Sequence, residues 1–343
     1  MDRVARGFFP AARLLGFVAL QVGVPVFAQT CTTQAKMSTE VRTGLSDAAL
    51  GLAQAVKASD TAKVQAGTVA EFAGSGAFAP TAFLVQSLAP KLGNDSLRVT
   101  QIYTLDAQGR KAGDTSEADF SCVLTGTTSE TDFAIPALPP GVYGFAMVEA
   151  TGERPWLLSF LMRQDGGAWK MAGFYPRARS AAGHDGVWYW TTARDDAKAK
   201  QLWLAWLLFG EADQLLRPAN FVTSTNLDML RSEQHAAAPP ELGDGISAQT
   251  PMVLKAGDGP DYSFTSISAE GSEDGKQLDL MLHLRADTSA DANAAKARNR
   301  AAAKALLDAH KELRKGFDRV LVFAEADGQA PLVTDETMAE IPL

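Results

Sequence analysis

An α+β fold is predicted by three features of the 343-residue chain. Helical periodicity gathers ahead of a series of short strands, two helical patterns stand back to back in the middle, and an alternating hairpin precedes an alanine-rich helix near the end. The expected architecture is N-terminal helices on a curved antiparallel sheet (29–180), a helical hairpin (181–235), a linker (236–260) and a C-terminal ββαβ sandwich (261–343).

Residues 1–28 read as a signal peptide. Arg3, Arg6 and Arg13 form a basic leader, an apolar run spans 14–28, and Val26-Phe27-Ala28 closes it with a small residue before Gln29. The alternative is an uncleaved anchor, but the run is short and interrupted for a helix that needs about 20 apolar residues to span a bilayer. A lipoprotein is disfavoured because Gln29-Thr30 precedes Cys31. The mature chain is therefore expected to start at Gln29 and to reside in the periplasm or the medium. Cleavage removes three arginines and one aspartate, so the net charge moves from −8 to −10. That balance argues against nucleic acid and anionic membrane surfaces as partners, since both demand a basic footprint.

Two cysteines remain, Cys31 and Cys122. An isolated pair in an oxidising compartment is expected to close on itself, across a loop of about ninety residues and with roughly 2–4 kcal/mol of stabilisation. The alternative is two buried thiols. Two cysteines without a nearby histidine fall short of a zinc site, so no metal and no cofactor are expected.

Within the first region, Leu45, Ala48, Leu52, Ala55 and Val56 recur at helical spacing and predict a helix over 41–58. Ser59-Asp60 signals a second over 61–72. Gly74-Ser75-Gly76 and Pro80 should end it, leaving a third over 81–88. Strand patterns follow at 97–105, 119–124, 133–135, 143–149, 156–162 and 169–175, separated by turns such as Pro139-Pro140-Gly141 and Asp165-Gly166-Gly167. The last hairpin, Leu157 to Leu161, Asp165-Gly166-Gly167, then Trp169 to Phe174, resembles the nuclear transport factor-like cone fold. That resemblance implies a sheet covered by helices, with a pocket at its wide end lined by Tyr143, Phe145 and Glu149.

Residues 187–199 and 201–216 predict an antiparallel helical pair with almost no loop. Ala205, Phe209, Ala212 and Leu216, followed by Pro218, resemble the second helix of a tetratricopeptide repeat, with Ala193 at the small packing position of the first. Thr192 and Asp196 depart from that pattern, and no second copy is present. A lone hairpin cannot bury its own faces. The second helix is apolar on nearly all sides, so the pair should bracket the first region and the C-terminal domain, with its aromatic cluster mostly buried and Trp206 as an anchor.

Ala236 to Pro240 and the glycines at 243, 245, 257 and 259 read as the linker. Beyond it, strands at 262–269 and 277–285 flank a Gly271 to Gly275 loop. Leu278, Leu280, Leu282 and Leu284 alternate with Asp279, Met281, His283 and Arg285, giving one core face and one wet face. A helix over 290–315, ended by Gly316, and a strand over 320–324 complete the unit.

No phosphate loop, dinucleotide fingerprint, nucleophile elbow or paired-histidine metal motif occurs. His235, His283 and His310 sit where a structural role suffices. Gly183 to Trp190 is the densest polar-aromatic cluster and makes His184, Trp188 and Trp190 candidate contacts. His184 beside Asp185 suits acid–base work; equally, Asp185 suits a helix cap and the rings suit an interface. The favoured reading is a non-enzymatic envelope protein that binds a partner or small ligand. The alternative is a hydrolase or isomerase using His184, Asp185 or Glu149 as acid–base groups.

Overall fold

The computed structural model describes residues 29–342, apart from 125, 244, 256–258, 287–290 and 327. The expected signal peptide and its cleavage point lie at the edge of or outside these residues, and residues 1–28 are not described. The fold is α+β, built as two helix-on-sheet bodies joined through a helical pair.

Strand β1 (Thr30–Thr33) leads, through a 3-10 turn, into α1 (Thr39–Lys57). Ser38 caps α1 by accepting from the Val41 N–H at 3.3 Å. Its Leu45, Ala49, Leu52, Ala53 and Val56 are buried at three and four spacing, as an amphipathic helix requires. Asp60 caps α2 (Thr61–Ala66). The expected continuous helix over 61–72 is interrupted, because residues 67–69 run beside Met171. The Met171 N–H donates to the Gly67 carbonyl at 2.7 Å, and the Val69 N–H donates to the Met171 carbonyl at 2.9 Å. A side chain at Gly67 would meet Leu52 Cδ2 at 2.9 Å.

A single turn, α3 (Ala70–Ala73), then precedes α4 (Ser75–Leu92). The helix expected to begin after Pro80 thus starts at Ser75, with Pro80 and Pro90 inside it. Burial of Phe78, Val85, Leu88 and Leu92 against α1 and the sheet outweighs the hydrogen bonds that the prolines forfeit.

The strands are β2 (Ser96–Asp106), β3 (Glu117–Val123), β4 (Glu130–Pro136), β5 (Val142–Thr151), β6 (Trp156–Asp165) and β7 (Ala168–Ala178). An antiparallel sheet runs in the order β1-β2-β5-β6-β7, with bulges at Val99/Gln101 and Leu161/Met162. Alternation sends Ile102, Ala146, Val148, Leu158 and Phe160 toward the helices. Tyr103, Leu105, Tyr143, Phe145 and Leu161 point the other way. There they meet β3 and β4, which leave the main sheet and form a second one with a later strand, β10 (Val222–Ser224), in the order β10-β4-β3. The expected single sheet is therefore two stacked layers. Cys31 on β1 and Cys122 on β3 form the expected disulfide, Cα to Cα 5.3 Å, and tie the two sheets together.

A two-residue hairpin, β8 (Ser180–Ala181) and β9 (His184–Asp185), opens the middle unit. Helices α5 (Gly186–Lys198) and α6 (Leu202–Leu216) match the predicted pair. Strand β10 (Val222–Ser224) then reaches back to pair with β4, and α7 (Thr225–Ala236) follows; neither was expected from the pattern. Gly186 lies so close to α6 that a Cβ there would sit 2.6 Å from Leu216 Cγ.

The linker is more structured than its composition implies. It holds a 3-10 turn (Pro240–Leu242) and strand β11 (Met252–Lys255), which pairs with β12 (Asp261–Gly271). The remaining elements are β13 (Leu278–Arg285), α8 (Ala292–Ala309), α9 (Leu313–Gly316), β14 (Arg319–Glu325) and β15 (Leu332–Thr337). Their sheet runs β11-β12-β13-β14-β15, with β13 and β14 parallel across the α8 crossover, so the expected ββαβ unit gains a strand at each edge. The helix expected over 290–315 stops at Ala309, where His310 turns the chain and packs against Trp203 at 4.9 Å between ring centroids. The face expected to be wet is closed at Asp279, which is buried and paired with Arg319 at 2.5 Å. Helix α6 lies over β12 and α8 over β14 and β15, in one continuous apolar core.

Trp203, 2% exposed, is the buried anchor of α6; Trp206 is only half-buried, contrary to expectation. Trp188 is 41% exposed, so the aromatic cluster is not sealed as a whole. Among the described residues no helix is long and apolar enough to cross a membrane.

Candidate functional site

A pocket of about 440 Å³ lies between β5 and the helical pair, bordered also by β2, β4 and β10. The period of two along β5 places Phe145, Met147 and Glu149 on one face, opposite the residues that meet α1. Phe145 is fully buried and forms the floor, packed edge-on against Phe133 at 5.3 Å and Phe221 at 5.7 Å. Tyr103 and Leu157 extend that floor, and Val187, Trp190 and Leu216 form the opposite wall. Hydroxyl groups of Thr131, Thr223 and Ser224 line the side given by β4 and β10.

Two charged side chains stand in this wall, and both have partners. The Glu149 carboxylate accepts from the Arg98 guanidinium at 2.9 Å, across the β2–β5 register. Arg179 donates to the Leu215 carbonyl at 2.8 Å and the Leu216 carbonyl at 3.4 Å, where the negative end of the α6 dipole favours a cation. Burial pulls the Arg179 pKa below the usual arginine value, and the charges of Glu149 and Asp185 oppose that fall. Trp190 is fixed from behind by Glu233, which accepts its indole Nε1–H at 2.8 Å, and by the Arg194 guanidinium 4.5 Å above its ring.

Of the residues singled out from sequence, Phe145, Glu149 and Trp190 meet in this pocket. Tyr143 does not line it: the side chain is 1% exposed and its hydroxyl donates to the Pro139 carbonyl at 3.0 Å. His184 and Trp188 open onto a different cleft of about 420 Å³, with Asp196, Lys315 and Asp318. There the His184 and Trp188 rings stack at 3.7 Å, and Asp185 caps α5 by accepting the Trp188 N–H at 2.8 Å. The acid–base candidates are thereby divided between two openings, Glu149 in one and His184 in the other. Among the described residues no group of three or more metal-ligating side chains is assembled.

Arg179, Thr223 and Ser224 carried no sequence signal. Thr223 and Ser224 enter the pocket because β10 reaches back to β4, where Val222 pairs with Phe133, and Arg179 enters because it follows β7 and reaches the C-terminal carbonyls of α6. No family model, curated protein or solved structure matches the chain.

Proposed function

We propose that this chain is an exported, non-enzymatic binding protein of the cell envelope, and that the pocket beneath Trp190 holds a small amphipathic molecule. One observation carries the reading: an aromatic and aliphatic floor meets a hydroxyl-lined side at a mouth whose two charged groups are already engaged. A pocket of that size and character matches small-molecule sites, which are mainly apolar with a few placed polar groups. An apolar body would rest on Phe145 and Leu157, and a polar end would reach Thr223, Ser224 and Arg179. The Cys31–Cys122 disulfide and the leader-like residues 1–28 support the extracytoplasmic setting. Helices on one face of a bulged antiparallel sheet, with the pocket on the other, support the cone-fold resemblance. Burial of Ala193, Ala205 and Ala212 at the α5–α6 crossing supports the repeat-like hairpin.

Titration with 1-anilinonaphthalene-8-sulfonate, followed by dye emission and by displacement with small amphiphiles, tests this reading. Saturable binding should be lost in Met147→Trp, which fills the pocket, and weakened in Trp190→Ala. Equal dye binding by both variants and the parent would place the ligand elsewhere.

A further inference from the structure

A second cavity, of about 210 Å³, lies where three parts of the molecule converge. Helix α4 and strands β6 and β7 form one side, α6 forms another, and the end of β12 with its turn to β13 forms the third. Glu211 projects into it from the most apolar helix of the chain. Its residue is 2% exposed, and its carboxyl has no hydrogen-bond partner among the described residues. A buried polar group left in this state is rare, because desolvation is expensive without a compensating bond.

The charges around the cavity are unevenly matched. On the basic side, Lys91 pairs with Glu273 at 3.5 Å, Arg154 donates to the Glu273 carbonyl at 3.4 Å, and Arg177 donates to Asn220 at 2.5 Å. On the acidic side, Glu273 is the partner of Lys91, whereas among the described residues Glu270 has only Ser268, at 3.4 Å, and Glu211 has no partner. We propose that this cavity binds the ammonium group of a compact organic cation, with Glu211 as its buried counter-ion and Glu270 at the mouth.

An ammonium offers three donors in a small volume, which suits two carboxylates that lack donors. A divalent metal ion fits less well, since calcium takes six to eight oxygen ligands and no cluster of three ligating side chains occurs among the described residues. The volume is below the range of roughly 300–1,000 Å³ typical of drug-sized ligands, so the cation has few heavy atoms. Burial, and secondarily the charge of Glu270, push the Glu211 carboxyl up to about 8. Tyr189 on α5 is the other titratable group that senses Glu211, and its phenol is pushed far above neutrality, so it stays uncharged. Lys91, Arg154, Arg177 and Glu273 complete the titratable lining, and none of them is among the causes that shift Glu211. Ligand binding at pH 7 therefore requires the carboxyl to release its proton as the ammonium enters.

Isothermal titration of the mature chain with propylammonium chloride, in buffers of different ionisation enthalpy, tests the site. The expected result is saturable one-to-one binding that tightens roughly tenfold per pH unit between 6 and 8 and levels above, with close to one proton released at pH 7. Propionate and potassium chloride should produce no saturable heat. Glu211→Gln should abolish binding and proton release. Glu270→Lys, at an exposed position that leaves the core untouched, should weaken binding at least tenfold. Absence of saturable propylammonium binding at pH 9 would overturn the proposal. So would equal binding of propionate, or parent-like affinity in both variants.

Discussion

The indole Nε1–H of Trp190 donates to Glu233 at 2.8 Å, and the same carboxylate takes Arg194 at 2.6 Å, so one α7 side chain fixes both the ring and the cation above it. Arg194 is the main cause that holds the Glu233 carboxyl below its ordinary value. Its contribution is fully present above the unfolded value near 4.5 and fades as pH falls through the lower folded one. Because the pair is partly exposed, Glu233→Ala should cost no more than about 1 kcal/mol. The same change should broaden and shift Trp190 emission and weaken dye binding. Stability is read from urea melts, and ring mobility from fluorescence anisotropy.

The disulfide joins two sheets that are otherwise held by side-chain packing and by the hydroxyl contact of Tyr103 with Thr131 at 3.2 Å. Replacing Cys31 and Cys122 together with serine should destabilise the first body by roughly 2–4 kcal/mol. Denaturant melts with and without reductant check the magnitude. Non-reducing peptide mapping should recover the linked pair, and native protein should not react with a maleimide.

Trp203 and Trp206 differ in burial although they sit one turn apart on α6. Trp203→Ala should cost about 3–5 kcal/mol, the range for a buried aromatic. Trp206→Ala, half-buried, should cost clearly less, and His184→Ala on the exposed stack less again. Thermal melts of the three variants should rank in that order; a larger loss at Trp206 would refute the assignment of the anchor.

Glu211 gives the molecule an unusual acid response. Its folded pKa of about 8 exceeds the unfolded value of 4.5, so the folded state holds the proton more tightly. As far as this group is concerned, stability is therefore greatest at or below pH 4.5 and falls as pH rises toward 8. The loss amounts to as much as about 5 kcal/mol at 1.36 kcal/mol per unit. Glu211→Gln should flatten this slope in the ligand-free protein, measured by chemical denaturation between pH 5 and 9.

Much of the architecture was legible because it is written in local periodicity. The leucine alternation of β13, the back-to-back α5 and α6 patterns and the Asp185 cap all depend on neighbours in sequence. What stayed hidden depends on distant ones. Strand β10 is three residues long and takes its identity from β4, and β11 lies in a stretch whose glycines and prolines read as spacer. Pro80 argued for a boundary that packing on α1 overrode. The same holds for the site: Phe145 and Glu149 declared themselves by lying on one strand face, and Trp190 by its cluster. Glu211 resembled any polar residue on a helix until three units closed around it.

The apolar core shared by α5, α6 and the C-terminal sheet bears on how the molecule comes apart. Composition places a seam at 236–260, but the core runs through it, whereas the clusters of the first body are separate from it. A protease nick between 245 and 250 should thus leave both pieces associated, and the C-terminal segment expressed alone should lack the cover that α6 provides. Calorimetry should resolve the helical pair and C-terminal sheet as a single cooperative transition, with the disulfide-linked first body melting as the other.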